Sequence, residues 1–113
     1  MVILRKEDVV AYGECVASSG PWYSEETITS AKFVIKEFLA PLLLRDDLEG
    51  PAHFIELSQE IKGNNMAVAA VEMALWDLTG KLEGKSLSQL IGGTKKEVAV
   101  GVSVGIQPSI DKL

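Results

Sequence analysis

Scarcity limits the chemistry open to this chain. Its 113 residues include one cysteine and one histidine, so no intrachain disulfide forms and no Cys/His set has metal-binding spacing. Cys15 falls in an alternating strand pattern and reads as an inert, buried thiol. His53, near the start of a short helix with no ligand cluster beside it, reads as a surface side chain. A glycine-rich phosphate loop and a Ser/His/Asp arrangement are also missing. No apolar run approaches the ~20 residues of a membrane span. Val2 to Leu4, stopped by Arg5 and Lys6, is too short for the apolar core of a signal peptide. A net charge of −5 with acids and bases interspersed argues against a nucleic-acid or anionic-membrane surface. The lone thiol suits a reducing compartment. The expectation is a soluble, cytoplasmic protein with no nucleic-acid or membrane partner.

What is present is well punctuated. Val2–Leu4 and Val9–Ala17 are rich in β-formers around the charged turn Arg5–Asp8, which predicts a hairpin. Gly13 in the second strand signals a bulge or a close backbone approach. A loop, Ser18–Tyr23, leads to Ser24 as a helix cap, with Glu25 and Glu26 placed for the first turn. The first helix is expected to bury Ile28, Ala31, Val34, Ile35, Phe38 and Leu39 and to break or bend at Pro41. Pro51 opens a short helix with Phe54, Leu57 and Ile61 inward and Gly63 as its stop.

A long helix is then predicted from the cap residue Asn65 to Leu82, closed by Gly84, with a further turn from Ser86 to Ile91 ended by Gly92 and Gly93. Val68, Val71, Leu75, Leu78 and Leu82 form one apolar stripe, and Ala67, Ala70 and Ala74 a second stripe of small residues. Small residues let another backbone come close. Asp77 and Lys81, four apart with the acid first, make a favourable helical ion pair on that same side. Glu72 reads as solvated.

The order Ala67, Ala69, Ala70, Val71, Glu72, Ala74, Leu75, Asp77, Leu78, Gly80, Lys81, then Ser86, Leu87, Leu90, Ile91, Gly92 resembles the signature of the mandelate racemase and muconate-lactonizing group of the enolase superfamily. Tyr12-Gly13-Glu14-Cys15-Val16-Ala17 leading to Gly20-Pro21-Trp22-Tyr23, together with Val100 to Ile106, is similar to the o-succinylbenzoate synthase and N-acylamino acid racemase branch. The fold this implies is α+β: a capping domain, a β-hairpin or meander followed by a helical bundle, over residues 1–93, then the first strand of a (β/α)8 barrel within 94–113. A complete barrel needs roughly 250 residues, so the chain is expected to be an N-terminal fragment, inactive alone. Residues before the hairpin, an opening strand and a mobile loop in relatives, are expected to be missing too.

The resemblance also implies the chemistry. Such enzymes take a proton from beside a carboxylate and hold the enediolate on a divalent metal, usually Mg2+, with two lysines as acid and base and three acids as metal ligands. All would lie beyond Leu113, so no catalytic residue and no metal ligand is assigned within the chain. The substrate implied is a small carboxylate, in a pathway such as menaquinone biosynthesis. A dipeptide epimerase or muconate cycloisomerase is the neighbouring parent, and a truncated, non-catalytic assembly or binding module is the other class.

Two segments are candidates for contact with substrate. From Val98 to Gly105, valines alternate with Ala99, Gly101, Ser103 and Gly105, as a barrel strand requires when one face meets the helical shell and the other a crowded interior. Spacing alone leaves Ser103 as either a tolerated interior serine or a hydroxyl for a substrate carboxylate or carbonyl; the resemblance implies the second. Gly20, Pro21 and Trp22 are the substrate-side candidates in the loop Ser19–Tyr23, whose aromatics Trp22 and Tyr23 either close over a ligand or pack as a staple on the first helix. An apolar helix face and a strand without neighbours lead to the expectation of a homo-oligomer.

Overall fold

The structure, a computed structural model, describes residues 1–112. It opens with the expected hairpin: β1 (Val2–Lys6) and β2 (Val9–Gly13) pair antiparallel, with Lys6 opposite Val9 and Val2 opposite Gly13. The loop is only Glu7 and Asp8, and Glu7 takes a left-handed φ of 53° to close it. β2 ends at Gly13, short of Ala17. Among the described residues the sheet has these two strands alone.

Helix α1 (Ile28–Val34) starts later than Ser24. Its cap is Thr27, whose hydroxyl accepts from the Ser30 amide while the Ser30 hydroxyl accepts from the Thr27 amide. Pro41 does not end the helix. The chain passes through a π-turn (Ile35–Leu39) into α2 (Ala40–Leu43), the Ala40 amide reaching back to the Ile35 carbonyl. Widening one turn makes room for a proline ring that would crowd a regular helix. Ala31, Val34 and Leu39 are buried as expected, but Ile28 and Phe38 lie on the exposed side. α3 (Pro51–Ser58) buries Phe54 fully, with Leu57 and Ile61 half-buried. α4 (Asn65–Glu83) and α5 (Leu87–Leu90) follow, the latter capped by Ser86 with Gln89 completing the box.

The largest fully buried side chains are Phe54, Leu39 and Val71, worth about 1.5–3 kcal/mol each. Among the described residues, six of the eleven that are apolar and buried are alanine: Ala11, Ala17, Ala31, Ala67, Ala70 and Ala74. Close backbone approach, more than side-chain volume, therefore builds this core. The contact is sharpest where β2 crosses α4. A Cβ on Gly13 would lie 1.9 Å from the Ala70 carbonyl oxygen and 2.8 Å from the Ala74 nitrogen, so no side chain fits. The alanine stripe thus meets the chain's own hairpin, and no absent neighbour is needed to cover it. The opposite stripe is less covered than its periodicity implies: Val71 and Leu75 are buried, Leu78 is half-buried and Leu82 is exposed.

The expected barrel strand forms no ladder. Residues 94–109 carry no helix or strand, and a 3-10 turn (Ile110–Lys112) follows. Val98, Val100, Val102 and Val104 are all exposed, as are the small residues between them. A strand is stable only when a neighbour satisfies its amides and carbonyls, and among the described residues no strand pairs with this one. The tail leaves the body, giving a radius of gyration of 17.1 Å where about 13 Å is usual for a compact chain of this length.

Candidate functional site

The loop of residues 18–27 is closed at its base and open at its tip. Ser18 and Thr27 form an isolated parallel bridge, and the Ile28 amide donates to the Ser18 carbonyl at 2.8 Å. At the tip the Trp22 amide donates to the Gly20 carbonyl at 2.9 Å, a three-residue turn. Gly20 has no Cβ, and one there would lie 2.6 Å from the Trp22 indole nitrogen. Trp22 and Tyr23 are 87% and 91% exposed. The staple on the first helix is therefore not made. The two rings stand in solvent above a fixed stem.

The stem is tied to α4 by a residue that the sequence reading gave another task. Glu26 does not serve the first turn of α1. It is 5% exposed, and its carboxylate accepts from the Met66 amide at 2.8 Å and the Ala67 amide at 3.1 Å. These are first-turn donors of α4, where a carboxylate is favoured by orphan amides and helix dipole together. Local capping is lacking there: Asn64 sits at the cap with a φ of 55°, and its side-chain amide donates to the Lys62 carbonyl. Ser24 adds a weak contact, its hydroxyl 3.9 Å from the Met66 sulfur.

At the far end of α4, Asp77 and Lys81 pair at 2.6 Å and both reach the hairpin. Asp77 accepts from the Tyr12 amide at 2.9 Å, and Lys81 donates to the Val10 carbonyl at 2.9 Å and lies 5.1 Å from the centre of the Tyr12 ring. The Lys81 hydrogen bond, helped by the Tyr12 amide, holds the Asp77 carboxyl below the usual carboxylate range against the opposing cost of desolvation. The pair fastens sheet to helix. Glu72, read as solvated, is half-buried and accepts from the Trp76 indole at 3.2 Å.

Other candidates offer less chemistry. Ser103 is exposed in the tail, and among the described residues no hydrogen bond joins it to the 18–27 loop. His53 is half-buried and its Nδ1 accepts from the Glu49 amide at 3.3 Å. Cys15 is half-buried in the wall of an apolar groove of about 510 Å³ between β1 and the first helices, shared with Val2, Leu4, Ala17, Ile35 and Leu43. Among the described residues no three of His, Cys, Asp and Glu come together, so the donor set of a divalent-metal site does not fit here. No described helix is long and apolar enough to cross a membrane.

Comparison with known proteins fits this architecture. Residues 1–92 match the family described as mandelate racemase / muconate lactonizing enzyme, N-terminal domain. The chain is 51% identical over 107 residues to an o-succinylbenzoate synthase of Geobacillus kaustophilus, covering 95% of this chain and 28% of that protein. It is 41% identical over 105 residues to an N-succinylamino acid racemase of Thermus thermophilus, covering 93% of this chain and 28% of the relative. A solved structure of an enolase-superfamily member from Listeria innocua superposes with a TM-score of 0.81 at 45% identity, over 95% of this chain and 29% of that one. The chain spans less than a third of each of these proteins.

Proposed function

The chain belongs to the mandelate racemase / muconate lactonizing enzyme family through its N-terminal domain, and from that premise we propose that it is the capping part of an enzyme of the o-succinylbenzoate synthase / N-succinylamino acid racemase type. The observation that carries this reading is the 51% identity across 95% of the chain. The reaction proposed for the whole enzyme is proton abstraction beside a carboxylate, through an enediolate, on a small carboxylate substrate. A divalent metal, Mg2+ by preference, neutralises the second negative charge in such chemistry. Among the described residues no cluster of three His, Cys, Asp or Glu offers that metal a seat.

This chain's own part is physical. The exposed Trp22 above the anchored stem closes over the substrate with Gly20 and Pro21, excluding water from a reaction in which charge develops. Residues 98–105 take their place as the first barrel strand when neighbouring strands supply hydrogen-bond partners, and Ser103 then turns its hydroxyl toward the substrate. The whole enzyme is proposed to be cytoplasmic and homo-oligomeric.

The test is an assay of the enzyme carrying this domain, with both the dehydration substrate leading to o-succinylbenzoate and N-succinylamino acids, with and without Mg2+. Turnover of at least one substrate that is lost on chelation supports the reading, and no turnover of either with metal present refutes it. Trp22→Ala is expected to cost about tenfold in kcat/KM, as removal of one water-excluding contact does. Sedimentation of the same enzyme checks the oligomeric state.

A further inference from the structure

We propose that Glu26 is a positioning residue: its carboxylate fixes where the 18–27 loop stands over the substrate and thereby sets selectivity. This rests on the reading of that loop as substrate-facing. The loop has few other ties. Its N-terminal arm is held by the Ser18–Thr27 bridge and the Ile28 amide, its tip turn is internal, and Ser24 contributes only the weak contact to Met66. The strong bonds from the stem to the rest of the molecule are those of Glu26 to Met66 and Ala67, across forty residues of sequence. They end on the best-supported element of the domain. α4 is locked to β2 by the methyl-free contact at Gly13 and by the Asp77–Lys81 pair. The carboxylate is buried and bonded by both oxygens, and α4, which receives it, has no side-chain cap at Asn64. A charge-assisted pair of this kind holds position more tightly than neutral contacts do. Trp22 and Tyr23 take their place from that stem, four and three residues before Glu26.

An ordinary helix cap would explain the bonds without any bearing on the loop, and the two accounts differ measurably. Glu26→Gln retains the shape but leaves one acceptor for two amides. In the 113-residue chain, hydrogen exchange is expected to quicken about tenfold in residues 19–26 and the first turn of α4, as loss of one charge-assisted bond implies, while β2 and the C-terminal half of α4 keep their rates. Should Glu26→Gln fail to fold, Glu26→Asp, shorter by one methylene, is read in the same way. In the enzyme carrying this domain, the same variant is expected to shift the ratio of kcat/KM between the two substrate classes about tenfold, mostly through KM. Exchange that quickens evenly over the domain, or not at all in the loop, overturns the proposal. So does an unchanged ratio when Trp22→Ala changes it, a result that leaves the loop's role intact. If neither variant moves the ratio, the reading of the loop has failed and the proposal falls with it.

Discussion

The β2–α4 contact and the tail are written in similar residues and end in opposite states. One joins Gly13 and Ala11 to Ala67, Ala70 and Ala74, all buried. The other alternates valine with Ala99, Gly101, Ser103 and Gly105, all exposed. A Cβ on Gly13 would collide with the Ala70 carbonyl, whereas one on Gly101 or Gly105 meets nothing within 4 Å. Small residues are thus an opportunity for close packing, taken only where a partner backbone arrives. The hairpin supplies that partner through a two-residue turn and adjacent pairing. The tail has no such neighbour.

Substitutions that probe this contrast rank by how much packing they disturb. Gly13→Ala is expected to cost the most, about 3 kcal/mol or more, because strand and helix must separate to admit a methyl; urea unfolding measures it, and a loss below about 1 kcal/mol would mean the contact is softer than its distances imply. Thr27→Ala should cost about 1 kcal/mol by removing the cap of α1, visible in the same titration. Smaller still is the pH response of Asp77. Its folded-state pKa is depressed, so its contribution is present above the unfolded value of about 4 and fades as pH falls through the lower folded value. The carboxylate is one-third exposed, so screening keeps this to a fraction of a kcal/mol. Melting temperatures compared between pH 6 and pH 3 should fall less for Asp77→Asn than for the unaltered chain. Asp47, held at about 2 by the Arg45 guanidinium, stays charged over most of that interval. Gly101→Ala marks the other end of the scale: within about 0.5 kcal/mol of no effect in this chain, but costly in the whole enzyme if the tail becomes a barrel strand facing a crowded interior. Equal effects at Gly13 and Gly101 would dissolve the comparison.

Legibility followed range. Helices α3, α4 and α5 and the hairpin were readable because Pro51, Gly84, Ser86 and the β-branched runs act on backbone within a few residues. Gly13 announced a bulge or a close approach, and the contact with Ala70 is the second of these. The cap of α1 was misplaced by three residues: Ser24, with two acids after it, looked as suitable as Thr27, and only the chain's path decided between them. At Pro41 both a break and a bend were open, because the sequence does not reveal that one turn can widen around the ring. In the candidate site, Gly20, Pro21 and Trp22 were singled out by the Gly-Pro turn with its aromatics and by the family resemblance, but their stem was not. Glu26 looked like a first-turn acid of its own helix, and no local pattern connects it to Met66.

By itself the sequence determined the hairpin, the helices α3, α4 and α5, the alternation of the tail and the family signature, because each rests on short-range backbone preference or an ordered string of residues. The tertiary structure decided which surface met the alanine stripe, which helix received the Glu26 carboxylate, and that Trp22 stands free. Those outcomes depend on distances between residues forty to seventy apart in the chain, and only the folded backbone sets them.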